Sequence, residues 1–255
     1  MELGTPTGTL LAVLLGSVRA AAWLAVCPPF NTKGTPAPVK ALLSVAIALP
    51  LAPRLSGQIP PDLSTPMLLA DVVEQAAIGA ALGFLTALLF AAVQSAGNLI
   101  DLFGGFSLAF AFDPLSMQGN SVFGRFYNLT AMALMFATDA HQMILRGFVQ
   151  SYKAIPLTGA LSLEALSQMI TDGLGQMFLV ALQIAGPLIA VLFATDVALG
   201  LLSRAAPALN AFGLGFPAKI LMTLAVAGTA LALLPAAVET LTDKALTAIL
   251  KVLGG

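Results

Sequence analysis

Between Ala76 and Leu102 the chain reads AAIGAALGFLTALLFAAVQSAGNLIDL, with no charged side chain before Asp101. An apolar run this long folds stably away from water as a helix, because a helix satisfies its own backbone N–H and C=O groups. About 20 such residues span a bilayer. Five further stretches of the same kind lie at Leu10–Cys27, Ala41–Leu55, Leu129–Phe148, Gly175–Leu202 and Leu209–Leu234. None alternates in the manner of a barrel strand. The expectation is an all-α, membrane-embedded chain with about six hydrophobic segments. With no internal repeat and no dividing linker, residues 1–255 are expected to form a single domain.

The overall balance agrees. Hydrophobic residues make up 58% of the chain and charged residues 9%, against about 45–50% and about 25% in an ordinary soluble domain. A net charge of −1 leaves no basic face for nucleic acid. A lone Cys27 and a lone His141 exclude cysteine-clustered and multi-histidine metal sites, so no metal or cofactor is expected. Met1-Glu2-Leu3 puts no basic residue before the first apolar run, which is therefore expected to be retained and not cleaved.

The segments are not all plain spans. Pro50 and Pro53 cut the second, and Gly186-Pro187 is expected to break the fifth, so broken helices with protein neighbours are expected. Prolines from Pro28 to Pro36 exclude a continuous helix there. Lysine and arginine are scattered, and orientation does not follow from them. From Ala236 to Gly255 the pattern is that of an amphipathic helix at an interface or against a partner.

Several polar residues sit where apolar ones belong. Arg19 lies mid-segment, where a central Arg costs roughly 2.5–3.5 kcal/mol on an insertion scale. It either snorkels to an interface or faces protein. Gln94, Asn98 and Asp101 follow helical spacing and mark a face turned to a neighbouring helix or to a lumen. Asp196 is an intramembrane carboxylate with Arg204 two turns on. It is either functional or the structural partner of Arg204 or another cation. Asp139, His141 and Arg146 read as ordinary satisfied polar contacts. Pro207-Ala208-Leu209 echoes an intramembrane aspartyl protease element, but Phe216 stands where its catalytic aspartate would be. With no nucleophile turn and no phosphate-binding loop, an enzyme is not expected.

Three blocks carry a resemblance. They are VRAAAWLAVCPPFNTKGTPAPVKALLSVAIALPLAP, then AGNLIDLFGGFSLAFAFDPLSMQGNSVFGRF continuing to TDAHQMILRGFVQSYKAIPLTG, then ALGLLSRAAPALNAFGLGFPAKI. Together they resemble the FliR family, the R subunits of the flagellar type III export gate, with injectisome homologues sharing much of the pattern. NAFGLGFPAKI is similar to the flagellar form. Ala208 departs from the family, which usually has glutamine there.

The resemblance implies a non-enzymatic subunit of a hetero-oligomeric, helical export gate built from broken helical hairpins. It implies one R subunit per gate, with a P-like portion joined to a Q-like portion and much of the assembly standing above the bilayer plane. The implied partners are the P and Q subunits, the flagellar B and A export components, and unfolded flagellar substrate proteins. The implied location is the bacterial inner membrane at the flagellar basal body. In the family, the loop matching the second block plugs the channel. Phe106, Phe110 and Phe112 supply bulk, Gly104 and Gly105 supply backbone freedom, and Asp113-Pro114 ends the element. A hydrophobic constriction of this kind blocks ions by dewetting; the plainer alternative is a re-entrant turn that only packs. Pro207, Asn210, Phe212, Phe216, Pro217 and Lys219 are expected in a helix end, a turn and a new helix start, which meets a partner subunit or makes an intrachain corner. The alternative functions are an injectisome gate subunit and a small-solute secondary transporter. The transporter predicts an inverted repeat, and none is visible.

Overall fold

A computed structural model describes residues 6–31, 34–60, 62–107, 121–158, 163–206, 213, 215–228, 234–236 and 240. Among the described residues every regular element is a helix. Helix α1 is Pro6–Val26 and α2 is Ala37–Ala48, the latter begun by Pro36 at the N-cap and Pro38 in the first turn, where a missing N–H costs nothing. Pro50 ends α2. The short α3, Ala52–Leu55, and a 3-10 turn at Ser56–Gln58 follow, with the direction changed by 59°. The Pro-cut second segment is thus a bent pair, as its prolines predict.

Helix α4 runs Thr65–Phe103, α5 Val122–Ala137, α6 Ala140–Ala154 and α7 Leu163–Ala205. A shorter apolar helix, α8, spans Gly215–Gly228. By length and composition α1, α4 and α7 can each cross a membrane, and the bent α2–α3 pair makes a fourth candidate. This is a membrane protein.

Two expectations are corrected. The fourth apolar stretch, Leu129–Phe148, is not one segment. It divides at Asp139, whose φ of 57° is left-handed, a conformation a helix cannot propagate. Gly186-Pro187 does not break the fifth segment, since α7 continues through Pro187. Proline removes one N–H and frees the carbonyl four residues back, and apolar membrane helices tolerate that loss when neighbours compensate.

The described residues fall into two compact units, the first drawn from Met1–Leu88 and Asp139–Leu174, the second from Leu89–Thr138 and Gly175–Leu241. In the first, Leu15, Leu24 and Trp23 of α1 are buried, and Trp23 stacks on Phe148 of α6 at 4.4 Å between ring centroids. Gly79 and Gly83 of α4 meet the backbone of Arg19 and Trp23 so closely that a Cβ would not fit, the close approach typical of small residues between membrane helices. In the second unit, Ile100 of α4, Tyr127 and Met135 of α5, and Leu188 and Leu192 of α7 are buried.

Candidate functional site

Arg19 is fully buried, so it faces protein and does not snorkel. Its Nε donates to Gln75 Oε1 at 2.6 Å. Nη1 donates to the Ser151 carbonyl at 3.1 Å, and Nη2 to the Ile155 carbonyl at 2.9 Å. The guanidinium lies 4.5 Å from the centroid of Tyr152. It therefore adds a cation at the C-terminal end of α6, where the helix dipole favours positive charge, on a Ser151 carbonyl that also accepts from the Ile155 N–H at 2.9 Å. Gln75 continues the lattice by donating to the Leu157 carbonyl at 3.0 Å, while the Leu157 N–H donates to Gln58 Oε1 at 3.1 Å. Tyr152 donates its hydroxyl to the Gly16 carbonyl at 2.7 Å, and burial holds its phenol above the ordinary tyrosine range. Sequence reasoning found Arg19 but missed Gln75, Ser151 and Tyr152. Gln75 sits one residue before the point where the apolar run begins, and it was the available signal.

In the second unit the stripe on α4 faces α5. Gln94 Oε1 accepts from Asn128 at 3.4 Å. Gly97 and Gly124 lie so close that neither has room for a Cβ, and Asn98 presses on Gly124. Asp101, almost fully buried, accepts from the Phe123 N–H at 3.1 Å and from the Ser121 hydroxyl. Ser121 in turn caps α5 by accepting from the Gly124 N–H at 2.8 Å. A carboxylate from one helix thus joins a serine cap on the next, satisfying orphan N–H groups at an electropositive end. Of the two stripe partners weighed in the sequence, these contacts are with a helix of the same chain. The buried Asp101 Oδ1 and Tyr127 hydroxyl have no hydrogen-bond partner among the described residues.

Beyond Asp101 the chain turns. Gly104 packs against Thr223 of α8 with no space for a side chain, and Gly105 has φ +84°, a left-handed value that favours glycine. Phe106 meets the Phe123 ring edge-on at 5.3 Å. Phe110, Phe112, Asp113 and Pro114 lie outside the described residues, as do Pro207, Asn210 and Phe212, the family departure at Ala208, and the amphipathic tail apart from Ala236 and Thr240.

Helix α7 ends at Ala205 and α8 begins just before Pro217, so the expected helix end and new start are both present. Phe216 lies beside Gly105. The ion pair of Asp196 is with Lys219, at 2.7 Å, and not with Arg204, which is exposed at the end of α7. Position 204 is on the same helix and two turns distant, whereas Lys219 comes across from α8.

A buried cationic cap and a carboxylate-stapled hairpin in apolar helices are structural chemistry. Residues 10–245 match the model of bacterial export proteins, family 1. The flagellar biosynthetic protein FliR of Bacillus subtilis is 33% identical over 217 residues, 82% of each chain. The chain belongs to the FliR family. FliR of Escherichia coli is 33% identical, covering 78% of this chain and 76% of its own. A relative with a different printed name, Yop proteins translocation protein T of Yersinia pestis, is 30% identical over 68% of this chain and 67% of its own. The FliR-family match takes in Arg19, the α4–α5 hairpin and the Asp196–Lys219 pair, all within residues 10–245.

Proposed function

We propose that this chain is the R subunit of a flagellar type III protein-export gate, helping to form and plug the channel needed for flagellum assembly. Similarity to flagellar FliR proteins across about four-fifths of the chain carries this reading. The chain acts without catalysis, by shape and contact. Its partners are the P and Q gate subunits, with the flagellar B and A export components alongside, and its cargo is unfolded flagellar protein. It resides in the bacterial inner membrane at the flagellar basal body. Residues Gly104–Pro114 form the plug: three phenylalanines to exclude ions, with a glycine pair at the base.

The injectisome reading rests on the Yersinia relative, which is less similar and matches less of the chain. Deletion of the gene in its own host, with and without a plasmid copy, separates the two. Flagellar function predicts loss of swimming and of secreted flagellin, both restored by the plasmid. Unchanged swimming in the deletion strain, with lost delivery of effector proteins, would instead establish the injectisome reading.

A further inference from the structure

Asp101 stands in the last turn of α4, and Ser121 is the N-cap of α5. One oxygen of the carboxylate, Oδ2, accepts from both the Ser121 hydroxyl and the Phe123 N–H. The Ser121 oxygen in turn accepts from the Gly124 N–H at 2.8 Å. Hydrogen bonds linked in this way polarise one another, and these exist only while the two helix ends are together. Apart, the ends leave N–H groups in the first turn of α5 short of acceptors. The other oxygen, Oδ1, is buried with no partner among the described residues, which costs stability. That cost is offset only while Oδ2 holds both of its donors.

The point where the chain leaves α4 is fixed on a third helix as well. Gly104 packs on Thr223 of α8, and Phe216 lies beside Gly105. Thr223 is fully buried and donates its hydroxyl to the Lys219 carbonyl at 2.8 Å, while the Lys219 ammonium pairs with Asp196 of α7. All of these residues belong to the second compact unit. We propose that Asp101 is a positioning residue of the channel plug: it clasps the first turn of α5 to the last turn of α4, so that the chain leaves for the plug and returns from it at one fixed point, and releasing the clasp unseats the plug. Asp101 touches neither ion nor cargo. It acts through the segment it anchors, and its role rests on the plug reading above.

The test measures ion leak per assembled gate, in membranes of the deletion host that carry the full chain with its natural partners, the amount of gate being fixed by immunoblotting of native gels. Asp101→Ala should raise the leak about fivefold to tenfold, the change in an opening equilibrium expected from losing one helix cap. Asp101→Asn, which keeps an acceptor oxygen, should raise it less than half as much. Ser121→Ala should also leak, and the double variant should leak no more than Asp101→Ala alone, because both substitutions undo one clasp. Leu188→Ala opens a cavity in the same unit without touching the clasp; it should lower the amount of gate and leave the leak per gate unchanged. An unchanged leak in the Asp101 and Ser121 variants, an equal leak from Leu188→Ala, or leaks that add in the double variant would each overturn the clasp. If Asp101→Ala does not assemble, Asp101→Asn and Ser121→Ala decide the matter on the same measure. A leak on deleting Ser107–Phe112 without one in the Asp101 variants would sink the clasp alone, whereas no leak from the deletion would sink the plug reading and the clasp with it.

Discussion

Arg19 shows how one charged side chain can be retained inside an apolar unit. Its three nitrogens reach a side-chain amide and two backbone carbonyls, a set only a planar, forked cation can meet together. Arg19→Lys keeps the charge but loses the fork, and should cost about 2–3 kcal/mol. Arg19→Leu takes the guanidinium donors away from Gln75 Oε1 and the Ile155 carbonyl in a buried site, and should cost more than about 3 kcal/mol. Denaturant midpoints of the purified assembly check both, and equal stability of the lysine variant would refute the fork argument. Asp101 is a second case. Asp101→Ala removes an acceptor from the Phe123 N–H and should cost about 1–2 kcal/mol, the size of a lost cap. Asp101→Asn keeps an acceptor oxygen and should lose less than half as much, measured as a shift in melting temperature. At this scale the sequence identified which residues were out of place, because a polar residue in an apolar run is visible without coordinates. It did not identify the partners: Ser151 and Ile155 contribute carbonyls, and a carbonyl has no sequence signature.

At the scale of elements, legibility follows how local each cause is. The bend between α2 and α3 is set by Pro50 and Pro53 and can be read directly. The division of the Leu129–Phe148 stretch depends on one residue, Asp139, adopting a left-handed conformation, while hydropathy averages over many residues and passes across it. Helix α6 also hides its nature from an average. It buries Ile144, Phe148 and Tyr152 on one side while Gln142, Arg146 and Lys153 are exposed. The α4–α5 hairpin is the element on which the plug prediction depends. Deleting Ser107–Phe112 removes Phe110 and Phe112 but leaves Gln94, Asn98 and Asp101, which hold α4 to α5. The gate should still assemble, ion permeability should rise, and cells expressing the shortened chain should grow poorly. Gly105→Val should act oppositely, since a β-branched residue is strained at φ +84°: export should slow with no leak. Normal assembly with neither leak nor altered export would reduce the segment to packing.

For the whole molecule the governing fact is a mismatch between apolar length and lipid thickness. Helices α4 and α7 have 39 and 43 residues, about twice what a hydrocarbon core needs. The chain covers most of the apolar window of α4, 61% of which is buried, but not that of α7, where 33% is buried and exposed apolar side chains continue from Leu174 to Leu202. Lipid can cover one bilayer thickness of such a surface, and the remainder needs protein. The chain expressed alone should therefore be degraded or aggregate, and co-expression with the P and Q subunits should rescue it. Linkage gives the scale, since a partner present at 100 times its dissociation constant adds about 2.7 kcal/mol. Pulse-chase half-life in membranes, with and without the partner genes, is the direct measurement, supported by size-exclusion chromatography in mild detergent. A half-life unchanged by the partners, or a lone monomer that stays monodisperse on heating, would mean that lipid and detergent suffice for the exposed faces of α7 and α8, and would remove the physical argument for a multi-subunit assembly.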